Sequence, residues 1–217
     1  MSTAQDFVQT VRPWVEAHDL ERLGVEANSR WTESDLGRWL HHSEVEVRQM
    51  SAVVLGLIGH GASVGPLARA LHDQDPVVVE LAEHALWSVW FRLGCCSAAK
   101  PFEHGVARLA QDDLPGALTA LTEAIAADPD FAEAYNQRSL TKYLSGAYAD
   151  AIDDAHQAVA RMPSHFGALC GIGHCEAHLG NWERAIASYE RALKVHPRLP
   201  AIAATLERLR HRGAKAG

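Results

Sequence analysis

The feature that most constrains this chain is a repeat with a step of 34 residues between Phe102 and Pro197. Pro129, Pro163 and Pro197 form one column of that register, and Ala117, Ala151 and Ala185 a second. Ala124, Ala158 and Ala192 make a third, and the small residues Gly105, Ser139 and Gly173 a fourth. A step of this length implies a helix–turn–helix unit that cannot bury its apolar face alone, so neighbouring units must stack. The small columns mark the places where the two helices of a unit cross with little between them. Larger residues, among them Leu121, Tyr135, Leu144, Ile152, Ile186 and Tyr189, fill the remaining space. Each proline stops a second helix and sets the turn into the next unit.

Three units follow from the columns, 98–131, 132–165 and 166–199. A polar-backed helix from Leu199 to Arg212 then caps the stack, as a solenoid end requires. This 34-residue pattern resembles the tetratricopeptide repeat. Ala134-Tyr-Asn-Gln-Arg138 and His165-Phe-Gly-Ala-Leu169 are similar to a group of bacterial tetratricopeptide proteins. The resemblance implies a right-handed α-α superhelix whose first helices line a concave groove, and it implies binding of a protein or peptide rather than catalysis.

A second register occupies the front of the chain. Leu36-Gly-Arg-Trp-Leu-His41 aligns with Leu67-Ala-Arg-Ala-Leu-His72, and Val47 with Val78 and Leu55 with Leu86 at the same 31-residue offset. Ser43-x-x-Glu46 reads as a capping box, and Asp75-Pro76 as an N-cap followed by proline at the first helical position. Gly59 and Gly61 are expected to end the intervening helix. The residues from Val47-Arg48 to Leu55-Gly56 and from Asp75-Pro76 to Ala85-Leu86 resemble a pair of HEAT-like repeats, with departures at Val79 and Trp87. Ahead of them, Phe7, Val8, Val11 and Val15 share a helical face, and Pro13 predicts a break near Arg12. Leu20 to Arg30 predicts only a short helix or turn. The expected fold is therefore an all-α solenoid: N-terminal helices and HEAT-like repeats over 1–97, then three tetratricopeptide units and a capping helix over 98–217.

Composition limits the partners. Residues 1–97 carry 13 acids against 7 bases, and residues 98–217 carry 14 against 13. Nucleic acid is not expected as a partner, because a phosphate backbone needs clustered Lys and Arg. Arg208, Arg210, Arg212 and Lys215 are read as cations at the negative end of a helix dipole. The longest apolar run, Ala52–Ile58, is too short to span a bilayer, and no targeting pattern is evident. Cys95, Cys96, Cys170 and Cys175 have neither zinc-ribbon nor disulfide-framework spacing, which points to a reducing, cytoplasmic setting.

The candidate groove follows from the first helix of each unit: Phe102 and Val106, then Glu133, Asn136, Leu140 and Tyr143, then Cys170, His174 and His178. In tetratricopeptide domains that grip the C-terminal carboxylate of chaperone tails, the resemblance implies a clamp of Lys, Arg and Asn. The matching places here hold Phe102, Val106, Gln137, Cys170 and His174, so that clamp is missing. An alternative use of Cys170, His174 and His178 is metal ligation, since their four-residue spacing stacks them on one helix face. No nucleophile–base pair, carboxylate pair or phosphate loop meets the requirements of an active site, and no cofactor is implied. The oligomeric state stays open.

Overall fold

The computed structural model describes residues 4–213, in which every regular element is a helix. By contact the chain divides into two compact units, Met1–Leu93 and Gly94–Gly217. Both are built from stacked helix pairs, the all-α solenoid architecture expected from the repeats.

The N-terminal unit holds α1 (Ala4–Glu16), α2 (Leu20–Arg30), α3 (Glu33–Trp39), α4 (Val45–Ile58), α5 (Gly61–Ala70) and α6 (Pro76–Arg92). Helix α1 buries Phe7, Val8 and Val11 and runs through Pro13 to Glu16 without the expected break. Pro13 lies in the last turn, and both it and Gln9, whose carbonyl its missing N–H would have bonded, are exposed, so water can replace that bond. Leu20–Arg30 forms a full helix capped by Asp19, whose carboxylate accepts the Arg22 amide. Phe7, Trp31 and Trp39 pack ring to ring, with Phe7 4.9 Å from Trp31 and 4.5 Å from Trp39.

Helices α3–α4 and α5–α6 form two pairs that lie side by side, α3 against α5 and α4 against α6. The residues aligned by the 31-residue register, Leu36 with Leu67, Val47 with Val78 and Leu55 with Leu86, are all fully buried. Asp75 caps α6 as expected, accepting the Val78 amide at 3.0 Å, with Pro76 next. The Ser43–Glu46 box does not form. Helix α4 starts later, behind Glu44, and Glu46 turns instead to the Arg12 guanidinium. Gly59 ends α4, but Gly61 opens α5 rather than ending anything. Glu33 closes that junction by accepting from the His60 amide and the Ser63 hydroxyl. Burial opposes its ionisation, yet the Ser63 and His60 hydrogen bonds outweigh burial and hold the carboxyl below its ordinary value.

The C-terminal unit holds α7 (Cys96–Ala110), α8 (Leu114–Ala127), α9 (Ala132–Leu144), α10 (Tyr148–Arg161), α11 (Phe166–His178), α12 (Trp182–Val195) and α13 (Pro200–Gly213). Pairing is α7 with α8, α9 with α10 and α11 with α12, and the first helices adjoin, α9 touching both α7 and α11. Helix α13 packs Ile202, Leu206 and Leu209 against Ala185 and Tyr189, which closes the stack. Near its end Arg210 bonds to Glu190 and Glu207. The side chain of Arg212, and Lys215, lie outside the described residues.

A further column emerges at the turn inside each unit. Asp112, Gly146 and Gly180 all have positive φ, at 59°, 79° and 79°. In each turn the following amide reaches back over the helix end, Asp113 to the Arg108 carbonyl, Ala147 to Lys142 and Asn181 to Glu176, at 2.9–3.0 Å. This is the Schellman arrangement, which needs a left-handed residue at the reversal. Gly146→Ala is therefore expected to lower stability by about 1 kcal/mol in chemical denaturation, because a Cβ strains that conformation.

Close crossing is visible at the small column. A Cβ on Gly105 would sit 2.6 Å from Leu121 Cγ, and one on Gly173 would sit 2.5 Å from the Tyr189 ring. Ser139 uses its hydroxyl to donate to the Ala151 carbonyl across the same crossing, at 2.7 Å. Gly173→Leu should cost about 1–3 kcal/mol through overpacking. An unchanged melting temperature in that variant would mean that the α11–α12 crossing is elsewhere.

Candidate functional site

The expected groove residues divide into a buried set and an accessible set. Phe102 is buried with its ring 4.6 Å from that of Phe131, and so belongs to the core of the first unit rather than to a groove surface. Glu133 is also buried, and its Oε2 lies 2.6 Å from His165 Nε2, both side chains being wholly inaccessible. His165 Nδ1 accepts the Ala168 amide at 3.1 Å, which caps α11 and leaves the ring proton on Nε2, to be donated to Glu133. The second carboxylate oxygen accepts from Gln137 at 2.6 Å and from Asn136 at 3.1 Å. Glu133 thus joins the start of α9 to the start of α11, and Asn136 shares in holding it. A buried side chain cannot meet a partner, so neither Phe102 nor Glu133 counts among the contact residues. Val106 remains half-buried on α7.

The accessible set converges. Tyr143, on the last turn of α9, places its hydroxyl 3.0 Å from His178 Nε2, on the last turn of α11. The ring of His178 stacks on Tyr148 at 4.5 Å with the planes 13° apart. Tyr143 lies 5.4 Å from the His178 ring, 5.6 Å from that of Tyr148 and 6.4 Å from that of His174. His174 Nδ1 is 2.8 Å from the hydroxyl of Tyr189, which stands behind it in the core. A row of rings thus runs from Tyr148 through His178 and Tyr143 to His174. Beside it, on α9, Leu140 and Leu144 are 42% and 52% exposed.

Sequence reasoning missed Tyr148 as a site residue, because it heads a second helix. Its position 34 residues before Trp182, another ring at the same helix start, was the available signal. Asp154, in the middle of α10, serves the packing of the repeat. It is buried, with Arg138 donating to both carboxylate oxygens at 2.7 and 2.8 Å and Lys142 at 2.7 Å. That ion pair raises the Arg138 pKa, and it occupies two cations of α9 inside the repeat.

Electrostatically the row tends toward neutrality. Burial, then the neighbouring Tyr148 and Cys175, raise the Tyr143 hydroxyl above its ordinary value. Burial pushes Tyr189 to about 12 and Cys170 to about 12, while burial followed by His178 pulls His174 down. Hydroxyl and thiol therefore stay protonated near neutral pH, and His174 favours its uncharged form. Cys170 is turned toward the cluster of α12 and α13, and His174 is engaged by Tyr189. Among the described residues no three His, Cys, Asp or Glu side chains converge as metal ligands, so Cys170, His174 and His178 are not brought together as one site. What the row offers is apolar area with oriented, uncharged hydrogen-bonding groups.

Thiol chemistry checks this arrangement. Cys95 and Cys96 are exposed, whereas burial pushes Cys170 to about 12 and Cys175 to about 11. Only the thiolate reacts, and a raised pKa leaves the folded protein almost wholly in the thiol form until strongly alkaline pH. Iodoacetamide should therefore label Cys95 and Cys96 and spare Cys170 and Cys175 until denaturant is added, as read by mass spectrometry. Equal labelling of Cys170 in the native chain would contradict its burial.

Comparison with known proteins agrees with the repeat architecture. Tetratricopeptide-repeat family models match residues 102–163 and 167–199. A TPR repeat-containing protein of Rhizobium etli is 36% identical over 83 residues, covering 38% of this chain and 41% of that protein. The SGT1 homolog of Bos taurus is 32% identical over 100 residues, covering 46% of this chain and 30% of the other. The matched region thus spans less than half the length of either relative. Among solved structures, the first TPR of Spaghetti (RPAP3) bound to an HSP90 peptide has a TM-score of 0.53 at 24% identity, covering 54% of this chain and 94% of that one. The Sgt2 TPR domain of Aspergillus fumigatus gives 0.53 at 20% identity, covering 56% and 82%. These likenesses establish the fold of the C-terminal unit: residues 102–163 and 167–199 are tetratricopeptide repeats.

Proposed function

We propose that the protein is a non-catalytic adaptor whose tetratricopeptide unit binds a segment of a protein partner on the face made by α7, α9 and α11. The carrying observation is the row of rings Tyr148, His178, Tyr143 and His174 beside exposed Leu140 and Leu144. Rings with polar tips concentrate binding energy and supply direction, and such anchors dominate interfaces. Solved relatives of the same fold include one bound to an HSP90 peptide, which supports peptide recognition as the mode. The nature of the segment differs in this reading. Arg138 and Lys142 are engaged by Asp154, and the places that match a carboxylate clamp hold Phe102, Val106, Gln137, Cys170 and His174. The proposed partner is therefore an extended or helical segment with apolar anchors and few charges. The front of the chain is read as HEAT-like, on the strength of the buried 31-residue register, and as a further helical surface for assembly.

Tyr143→Ala should weaken capture of the partner by roughly tenfold, or about 1.4 kcal/mol, with little change in melting temperature. Asn136→Ala should weaken capture too, but with some loss of stability, since Asn136 also holds buried Glu133. Asp153→Ala and Glu190→Ala, at exposed positions on second helices, should leave capture intact. Affinity capture from the native host with mass spectrometry, repeated with these variants, measures all four. Loss of binding in the second-helix variants, with Tyr143→Ala unaffected, would move the functional surface to the other side.

A further inference from the structure

The 31-residue register of the N-terminal unit has a chemical consequence at its turns. It carries the end of α3 and the end of α5 to one edge, where Leu40-His41-His42 and Leu71-His72-Asp73 occur one above the other in sequence register. Between them lies an open cavity of about 410 Å3 whose polar lining includes His41, His42, Arg48, Arg69, His72 and Asp73. Its floor is already neutral. Arg48 grips Asp73 with two hydrogen bonds of 2.8 and 3.0 Å and turns its remaining nitrogen to the carbonyls of His42 and Ser43.

Arg69, in contrast, is exposed and makes one long hydrogen bond, from Nε to His41 Nε2 at 3.4 Å. That bond uses Nε and leaves the two terminal nitrogens of a planar donor fork for a ligand, a fork that matches a tetrahedral oxyanion. His42 Nδ1 accepts the Glu44 amide at 3.2 Å, so its ring carries the proton on Nε2. The other charged groups of these turns are Glu44 and Asp75. Asp75 is held by the Val78 amide and Gln49. Three imidazoles and one guanidinium thus gather in a unit that is otherwise acidic, 13 acids against 7 bases over residues 1–97. Such surroundings suit a small, compact anion and disfavour a long polyanion, whose remaining charges would meet the acidic surface.

We propose that this cavity binds a phosphate group, with Arg69 as the fixed cation and His41, His42 and His72 as auxiliary donors. The site lies on the N-terminal unit and is independent of the ring row. Sulfate probes the site as a tetrahedral oxyanion of fixed charge, whereas inorganic phosphate and phenyl phosphate separate free from esterified phosphate as the ligand.

The test is an NMR-detected titration of the full-length chain with each of the three anions. Sulfate should bind saturably, and one of the phosphates should displace it. Arg69→Gln should abolish binding without lowering the melting temperature, since Arg69 is exposed. His72→Ala should weaken binding without abolishing it. Shifts that fail to saturate, sulfate affinity that Arg69→Gln leaves intact, or failure of both phosphates to displace sulfate would each overturn the assignment.

Discussion

The crossing of paired helices depends on an absent side chain. Where α11 meets α12, the ring of Tyr189 fills the space that a Cβ on Gly173 would need, and where α7 meets α8, Leu121 does the same against Gly105. In the middle unit the register sets Ser139 with Ala155, so the larger member of the small column falls in line with the smallest member of the opposing one. The small column thus carries no side chain where the opposing residue is large and a short one where it is small, as close packing demands. The consequence reaches the proposed binding face. Seated against Gly173, Tyr189 points its hydroxyl at His174 and fixes that ring beside Tyr143. A glycine in the core thus orients a surface residue two contacts away.

Buried polar groups tie one unit to the next. His165 caps α11 through one ring nitrogen and donates to Glu133 on α9 through the other. Neither function is separable: the cap fixes the tautomer, and the tautomer supplies the donor that Glu133 needs. Asp154 plays a similar part between α9 and α10, satisfied by Arg138 and Lys142. Networks of this kind add little net stability compared with apolar packing, but removing one partner leaves a charge stranded. They define the order and spacing of helices more than they strengthen them. By engaging the cations of α9 internally, they also set the chemistry of the face that α9 presents.

Much of this was legible in the residues. Pro129, Pro163 and Pro197 and the alanine columns locate the three helix pairs of the C-terminal unit to within a few residues, because a solenoid repeats its contacts and its sequence must repeat them too. The αL column of Asp112, Gly146 and Gly180 escaped notice because its first member is not glycine. Site residues were harder. A period of 3.6 tells which side a helical residue faces, but Phe102 and Glu133 lie on the face that adjoining first helices cover, and α9 touches both α7 and α11. The ring row could be only half seen, since Tyr148 joins it from a second helix across the turn. At α4, local capping rules proposed Ser43 and Glu46, whereas the Arg12 guanidinium, distant in sequence, took Glu46 instead. Propensity yields where a tertiary partner is available.

The same repeat logic yields two different surfaces in this chain. In the N-terminal unit, turns of like composition bring like side chains together, so His41, His42 and His72 line one open cavity with Arg69. In the C-terminal unit, the residues brought into line are rings of different kinds, and burial keeps Tyr143, Tyr189 and Cys170 protonated and His174 biased toward neutrality. Long-range attraction steers a partner only where unbalanced charge is available. In the proposed reading, association on the ring row draws instead on apolar burial, with direction supplied by the hydroxyl of Tyr143. Discrimination would then rest on shape and on where a partner's own polar groups fall, since a buried donor or acceptor left unmatched costs more than a matched one returns.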